Sequence, residues 1–267
     1  MNNKTHKGFR LDDSRYSAFF DGLLYLILFV TAGMWFYAFL SFPASKDTSI
    51  MYVGLCLFSA ILLNTDRIHK VTKDTILADI PVDMIGFENF KWKHLIGGAL
   101  LGFLFALLSL MNSGPLHAIL GVESGNILFT GVPAAAVNSF QDLPSIWKAL
   151  YIGSVALPEN QALCIVVAAT FTAYAMTMFG GKDKHGTLYQ VFSVVGSVIA
   201  ALISMAYHSM VYANQLNTLI GVGIFFFIGA LLSMQYRDAS IFFSSHLVYN
   251  SGIVAMSIVP MAIGGGF

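Results

Sequence analysis

Charge is what this sequence has least of. Asp, Glu, Lys and Arg make up 10% of its 267 residues, where soluble domains run near 25%. Fourteen acids balance fourteen bases, so no basic surface for nucleic acid is expected. Cysteine is almost as scarce. Cys56 and Cys164 both fall inside apolar runs and form no CxxC pair, which argues against a disulfide framework and reads as small core residues. The histidines contain no HxxH or HxxxH pair. "GGKDK" (Gly180 to Lys184) lacks the earlier glycine and the Ser/Thr of a P-loop, so no nucleotide site is expected. The first twenty residues are polar for too long to be a secretory signal.

What the chain has instead is apolar length. Hydrophobic residues make up 57%, and segments near 19–40, 50–64, 94–111, 157–179, 188–212, 218–236 and 239–263 approach or reach spanning length. The expected fold is therefore all-α, a polytopic integral membrane bundle of about seven transmembrane helices. Lys4, Lys7, Arg10 and Arg15 precede the first segment, and Arg67, Lys70, Lys73, Lys91 and Lys93 follow the second. Lys182 and Lys184 follow the fourth, and Arg237 follows the sixth. The alternate connections carry only Lys46, only Lys148, and nothing. By the positive-inside rule the N-terminus is cytoplasmic and the C-terminus outside.

The expected organisation is a cytoplasmic tail over 1–18, N-terminal helices with an outer loop over 19–145, and a C-terminal core over 146–267. Trp92 and Lys93 suit an interfacial anchor before the third span. The connection 112–148 is long and rich in Gly, Pro and Ser, and loops of that length are usually functional or packed on themselves. "LPSIWKALYIGS" suits a short helix on the outer surface. "GALLG" (Gly98 to Gly102) is a GxxxG pattern that predicts close approach of span three to another helix.

Ionisable groups inside spans are costly and mark candidate sites. Asp21 lies near the start of span one, Glu159 at the start of span four, and His208 towards the end of span five. His246 and Asn250 lie in span seven, one helical turn apart and so on one face. Each has a plainer reading. Glu159 follows Pro158 in a position suited to the first helical turn, facing the positive end of the dipole. His208 suits an interfacial histidine, and His246 with Asn250 suits hydrogen bonding between helices.

Residues 150–255 resemble the CPBP family, which holds the intramembrane CAAX proteases and bacteriocin-processing relatives. The family pattern is EExxxR, then FxxxH, then HxxxN after an R-x-[GA]-S turn. Here "RDAS" (Arg237 to Ser240) matches the turn, and His246-x-x-x-Asn250 the third part. His208 and Glu159 stand where the second and first parts belong. The chain departs from the pattern at three places: Asn160 replaces the second acid, Cys164 the arginine, and Ser204 the phenylalanine. The resemblance implies a peptidase without a cofactor or metal. Glu159 and His208 would activate a water, and His246 and Asn250 would stabilise the oxyanion. Such a pairing is chemically sound: a carboxylate and an imidazole can hold a water and take its proton, and donors fixed in a dry cavity stabilise developing charge.

Depth sets a condition on this reading. At about 1.5 Å per residue, His246 lies roughly 11 Å beyond Ala239. Glu159 and His208 therefore meet it only if span four or five begins deep in the bundle. Expected partners are the lipid bilayer and a protein substrate or membrane-protein partner. Two other readings stand beside the peptidase. One is a non-catalytic membrane subunit packed against a partner, to which the missing acid and arginine point. The other is a metal or pigment binder using His208, His246 and Glu159; the lack of a lysine in span seven argues against a retinal Schiff base.

Overall fold

The computed structural model of the chain describes residues 14–41, 46–63, 87, 89–113, 156–179, 186–209 and 216–263. The expectations for the N-terminal tail, most of the loop 65–93, the outer loop with its surface helix, and Gly180 to Lys184 lie outside these residues. So does the side chain of Asp21.

The described residues are helical, with no strand among them, and they form seven helices. These are α1 (Ser14–Ser41), α2 (Lys46–Leu63), α3 (Trp92–Ser113), α4 (Ala156–Met178), α5 (Thr187–Ser209), α6 (Leu216–Tyr236) and α7 (Ser240–Ile263). Each coincides with one of the expected apolar segments. α4, α5 and α6 are long and apolar enough to cross a membrane. Apolar stretches also run through Tyr25–Tyr37, Ser49–Ile61 and Trp92–Leu108 in α1, α2 and α3.

Parts of the bundle show apolar residues outside and small polar residues inside, the reverse of the soluble amphipathic helix, whose apolar stripe faces the core. On α5, Ser193, Ser197 and Ser204 are fully buried, while Val191, Val195, Val198 and Leu202 face outward. On α1, Thr31 is buried, and Phe29 and Leu40 are exposed. Small polar residues inside let helix backbones approach closely. Several satisfy themselves locally: Thr172 donates to the Ala168 carbonyl at 2.8 Å, and Ser197 to the Ser193 carbonyl at 2.7 Å.

Packing is pairwise. α3 lies along α7, α5 lies between α4 and α6, and α1 lies on α2, which in turn packs on the first turns of α4. The GxxxG pattern makes the α3–α7 contact. A Cβ on Gly98 would collide with the Ile241 carbonyl oxygen, and one on Gly102 with the Ser245 carbonyl oxygen. Only hydrogen fits at both positions. Trp92 opens α3 and is exposed, with its ring against Phe90.

The RDAS segment is the tight turn between α6 and α7. Arg237 takes a φ of 52°, a left-handed conformation that costs a non-glycine residue about 1–2 kcal/mol. Asp238 holds the turn. Its Oδ1 accepts from the Ser240 backbone N–H at 2.9 Å, capping α7, and its own N–H donates to the Ser233 carbonyl at 3.2 Å. Its Oδ2 accepts from His94 Nδ1 at 2.7 Å, which ties the start of α3 to the start of α7.

Candidate functional site

The site begins with a local irregularity. Pro158 has no backbone N–H to give to a helix, and just after it the chain widens into a π-helical segment, Asn160–Ile165. Val166 N–H reaches back five residues to the Gln161 carbonyl. Such bulges accompany functional sites more often than chance. Here the bulge follows two consecutive polar residues, Glu159 and Asn160, both buried.

The depth condition is met. The first residues of α4 are buried, and Glu159 meets side chains from three other helices. Its Oε1 accepts from the Tyr52 hydroxyl of α2 at 2.8 Å. Its Oε2 lies 3.6 Å from His246 Nε2 of α7 and 3.8 Å from His208 Nε2 of α5. Glu159, His208 and His246 are only 2%, 6% and 4% exposed. Glu159 does sit in the first turn described for α4. Its carboxylate, however, is engaged across the bundle rather than in a cap. Asn250 is buried one turn beyond His246 on the same face of α7.

Each imidazole is oriented from behind. His208 Nδ1 donates to the Ser204 carbonyl at 2.7 Å, and His246 Nδ1 donates to Asn160 Oδ1 at 2.7 Å. A neutral imidazole carries one N–H. In the neutral tautomers that donate at Nδ1, the Nε2 atoms of both rings are acceptors on the side of Glu159. Separations of 3.6 and 3.8 Å are too long for direct hydrogen bonds, and a shared water suits them better. Three acceptor atoms facing one another require a proton, a water or a cation between them. No group of three or more His, Cys, Asp or Glu side chains among the described residues has metal-holding geometry.

Aromatic rings wall the site. Phe226 lies 5.2 Å from the His208 ring and 5.3 Å from the His246 ring, centroid to centroid. Phe225 lies 5.4 Å from His246, and Phe242 stacks on it at 6.1 Å. On the other side Tyr52 stacks on Trp35 at 4.3 Å and meets Tyr207 edge-on at 6.4 Å. Low polarity around the carboxylate strengthens every electrostatic contact it makes.

Two residues of this cluster are absent from the sequence-based site. Tyr52 belongs to α2, in the half of the chain outside the resemblance, and no local pattern marks it. Asn160 was visible only as a departure from a motif, and it proves to hold His246. Cys164, at a second departure, donates from Sγ to the Phe226 carbonyl at 3.2 Å.

Compared with protein-family models, curated proteins and solved structures, the chain matches none.

Proposed function

We propose that the chain is a multi-pass membrane protein, N-terminus inside, and an intramembrane endopeptidase of the CPBP type. The convergence of Glu159, His208 and His246 from three helices carries this reading. These residues are far apart in sequence and are brought together in an otherwise apolar bundle, where burying ionisable groups without purpose is costly. The large apolar side chains that face outward, and the three helices long enough to cross a bilayer, support the membrane setting.

In this mechanism a water sits against Glu159 Oε2 and His208 Nε2. Glu159 takes its proton as the water oxygen bonds to the carbonyl carbon of the scissile amide. The resulting oxyanion is stabilised from the α7 side, where His246 and Asn250 lie. The proton then passes to the amide nitrogen as the C–N bond breaks. Tyr52 holds Oε1, which leaves Oε2 as the basic atom.

The test is turnover of fluorescence-quenched transmembrane peptides by the purified protein in liposomes. Glu159→Ala, His208→Ala and His246→Ala are each expected to abolish cleavage while the protein elutes and melts as the wild type does. Unchanged turnover in all three sinks the reading.

The closure of the site favours a second reading, a non-catalytic subunit on the same scaffold. Tyr52 occupies one carboxylate oxygen, and rings cover the histidines. A stable complex with a partner membrane protein, no turnover, and tolerance of His246→Ala support that reading.

A further inference from the structure

In the mechanism above, Asn250 has N–H groups to give to the oxyanion, but His246 does not. With Nδ1–H given to Asn160, neutral His246 presents a lone pair at Nε2, and a lone pair cannot stabilise an oxyanion. The same contact shows where a donor lies. Asn160 is 1% exposed, and its Nδ2 has no hydrogen-bond partner among the described residues. Leaving a buried amide N–H₂ unpaired is costly. The group is bonded to the same carbon as the Oδ1 that holds His246, so it lies within one side chain of that ring.

The structure assigns Asn160 two roles: its Oδ1 positions His246, and its Nδ2 donates to the carbonyl oxygen of a bound amide. This assignment rests on the endopeptidase reading for the second role only. The first role stands on the 2.7 Å contact alone. The position where the family pattern has an acid thus carries a group that both accepts and donates. A carboxylate there could hold the imidazole but could offer nothing to an oxyanion. That trade gives chemical sense to the substitution and predicts that reverting it is harmful.

Two measurements separate the roles. The first is the imidazole 15N spectrum of histidine-labelled protein, with the His246 signals identified by their loss in His246→Gln. Protonated Nδ1 with unprotonated Nε2 is expected in the wild type. Asn160→Ala should release the ring to a mixture of both tautomers. The second is turnover of the quenched transmembrane peptides. Asn160→Asp keeps the acceptor for Nδ1–H and removes the donor, so kcat should fall about 100-fold with KM little changed. Asn160→Ala, which adds no charge and serves if the aspartate variant fails to fold, should lose as much. A His246 protonated at Nε2 in the wild type means that the carboxamide is turned the other way, and it overturns the assignment. Turnover by both variants within about threefold of wild type removes the donor role. A wild-type protein that cleaves none of the peptides overturns the endopeptidase reading and the donor role with it. The 15N spectrum still decides the hold on His246.

Discussion

Among the described residues, two buried carboxylates meet histidines, and they do so in opposite ways. At the α6–α7 turn, His94 and Asp238 close to 2.7 Å. Both Asp238 oxygens are committed, one to His94 and one to the Ser240 N–H. In the middle of the bundle, Glu159 has one oxygen bound to Tyr52 and the other facing two imidazole lone pairs at 3.6 and 3.8 Å. The first contact is a completed hydrogen bond that fixes where α7 starts. The second is a set of longer contacts, in which Oε2 makes no direct hydrogen bond to either imidazole. The same residue types fix a helix start in one place and face one another at a distance in the other.

The sharpest break of this comparison is a pair of matched amide substitutions. Glu159→Gln keeps the shape of the side chain and removes the base. Turnover should fall by at least about 1,000-fold, with little change in thermal stability. Asp238→Asn should do the reverse. It weakens a charge-assisted bond and a helix cap, and breaking a buried pair costs about 3–5 kcal/mol at the extreme. The expected readout is a clear drop in Tm, with residual turnover in the fraction that remains folded. If Asp238→Asn is silent and Glu159→Gln unfolds the protein, the two clusters have been assigned the wrong way round.

A smaller effect tests how the completed contact reaches the longer ones. α7 is set on α3 by the His94–Asp238 bond and by the glycine contacts below it. Gly102→Ala places a methyl against the Ser245 carbonyl oxygen, next to His246 in the chain. Overpacking of this kind costs about 1–3 kcal/mol, and any shift of α7 moves His246 relative to Glu159. Stability should fall and turnover should fall with it. The adjacent control is Gly97→Ala, which meets nothing within 4 Å and should change neither.

The helices were legible because long apolar segments bounded by charge have few other fates. The α3–α7 contact was legible because GxxxG leaves a gap that another backbone fills. His208, His246 and Glu159 stood out because ionisable groups are rare in such segments. The partners that orient them did not. Asn160 sits beside Glu159, where the chain enters the π-helical segment, and both are buried in the bundle. The bulge has no residue signature beyond a proline. Tyr52 lies 107 positions from the carboxylate it contacts. An apolar helix with one tyrosine reads as ordinary, and only tertiary packing makes that hydroxyl part of the cluster.

Tyr52 also supplies the mildest test. Its hydroxyl donates to Glu159 at 2.8 Å, and the ring is held independently by Trp35. Tyr52→Phe therefore removes the bond and keeps the packing. If the bond only closes the α2–α4 interface, the cost is about 1 kcal/mol of stability and turnover per folded molecule stays level. If the bond steers the carboxylate, Oε2 no longer has a fixed place opposite the two Nε2 atoms, and kcat should fall about tenfold with KM unchanged, a loss of about 1.4 kcal/mol in the transition state. The infrared carboxylate stretch of Glu159, assigned by difference against Glu159→Gln, reads the same bond without any substrate. It should shift in Tyr52→Phe and stay put in Ser59→Ala, whose hydroxyl reaches only the Pro158 carbonyl at 3.4 Å. A shifted band with unchanged kcat makes Tyr52 a tether between helices. A shifted band with a tenfold loss makes the longer contacts at Glu159 depend on a helix outside the part of the chain that first drew attention to them.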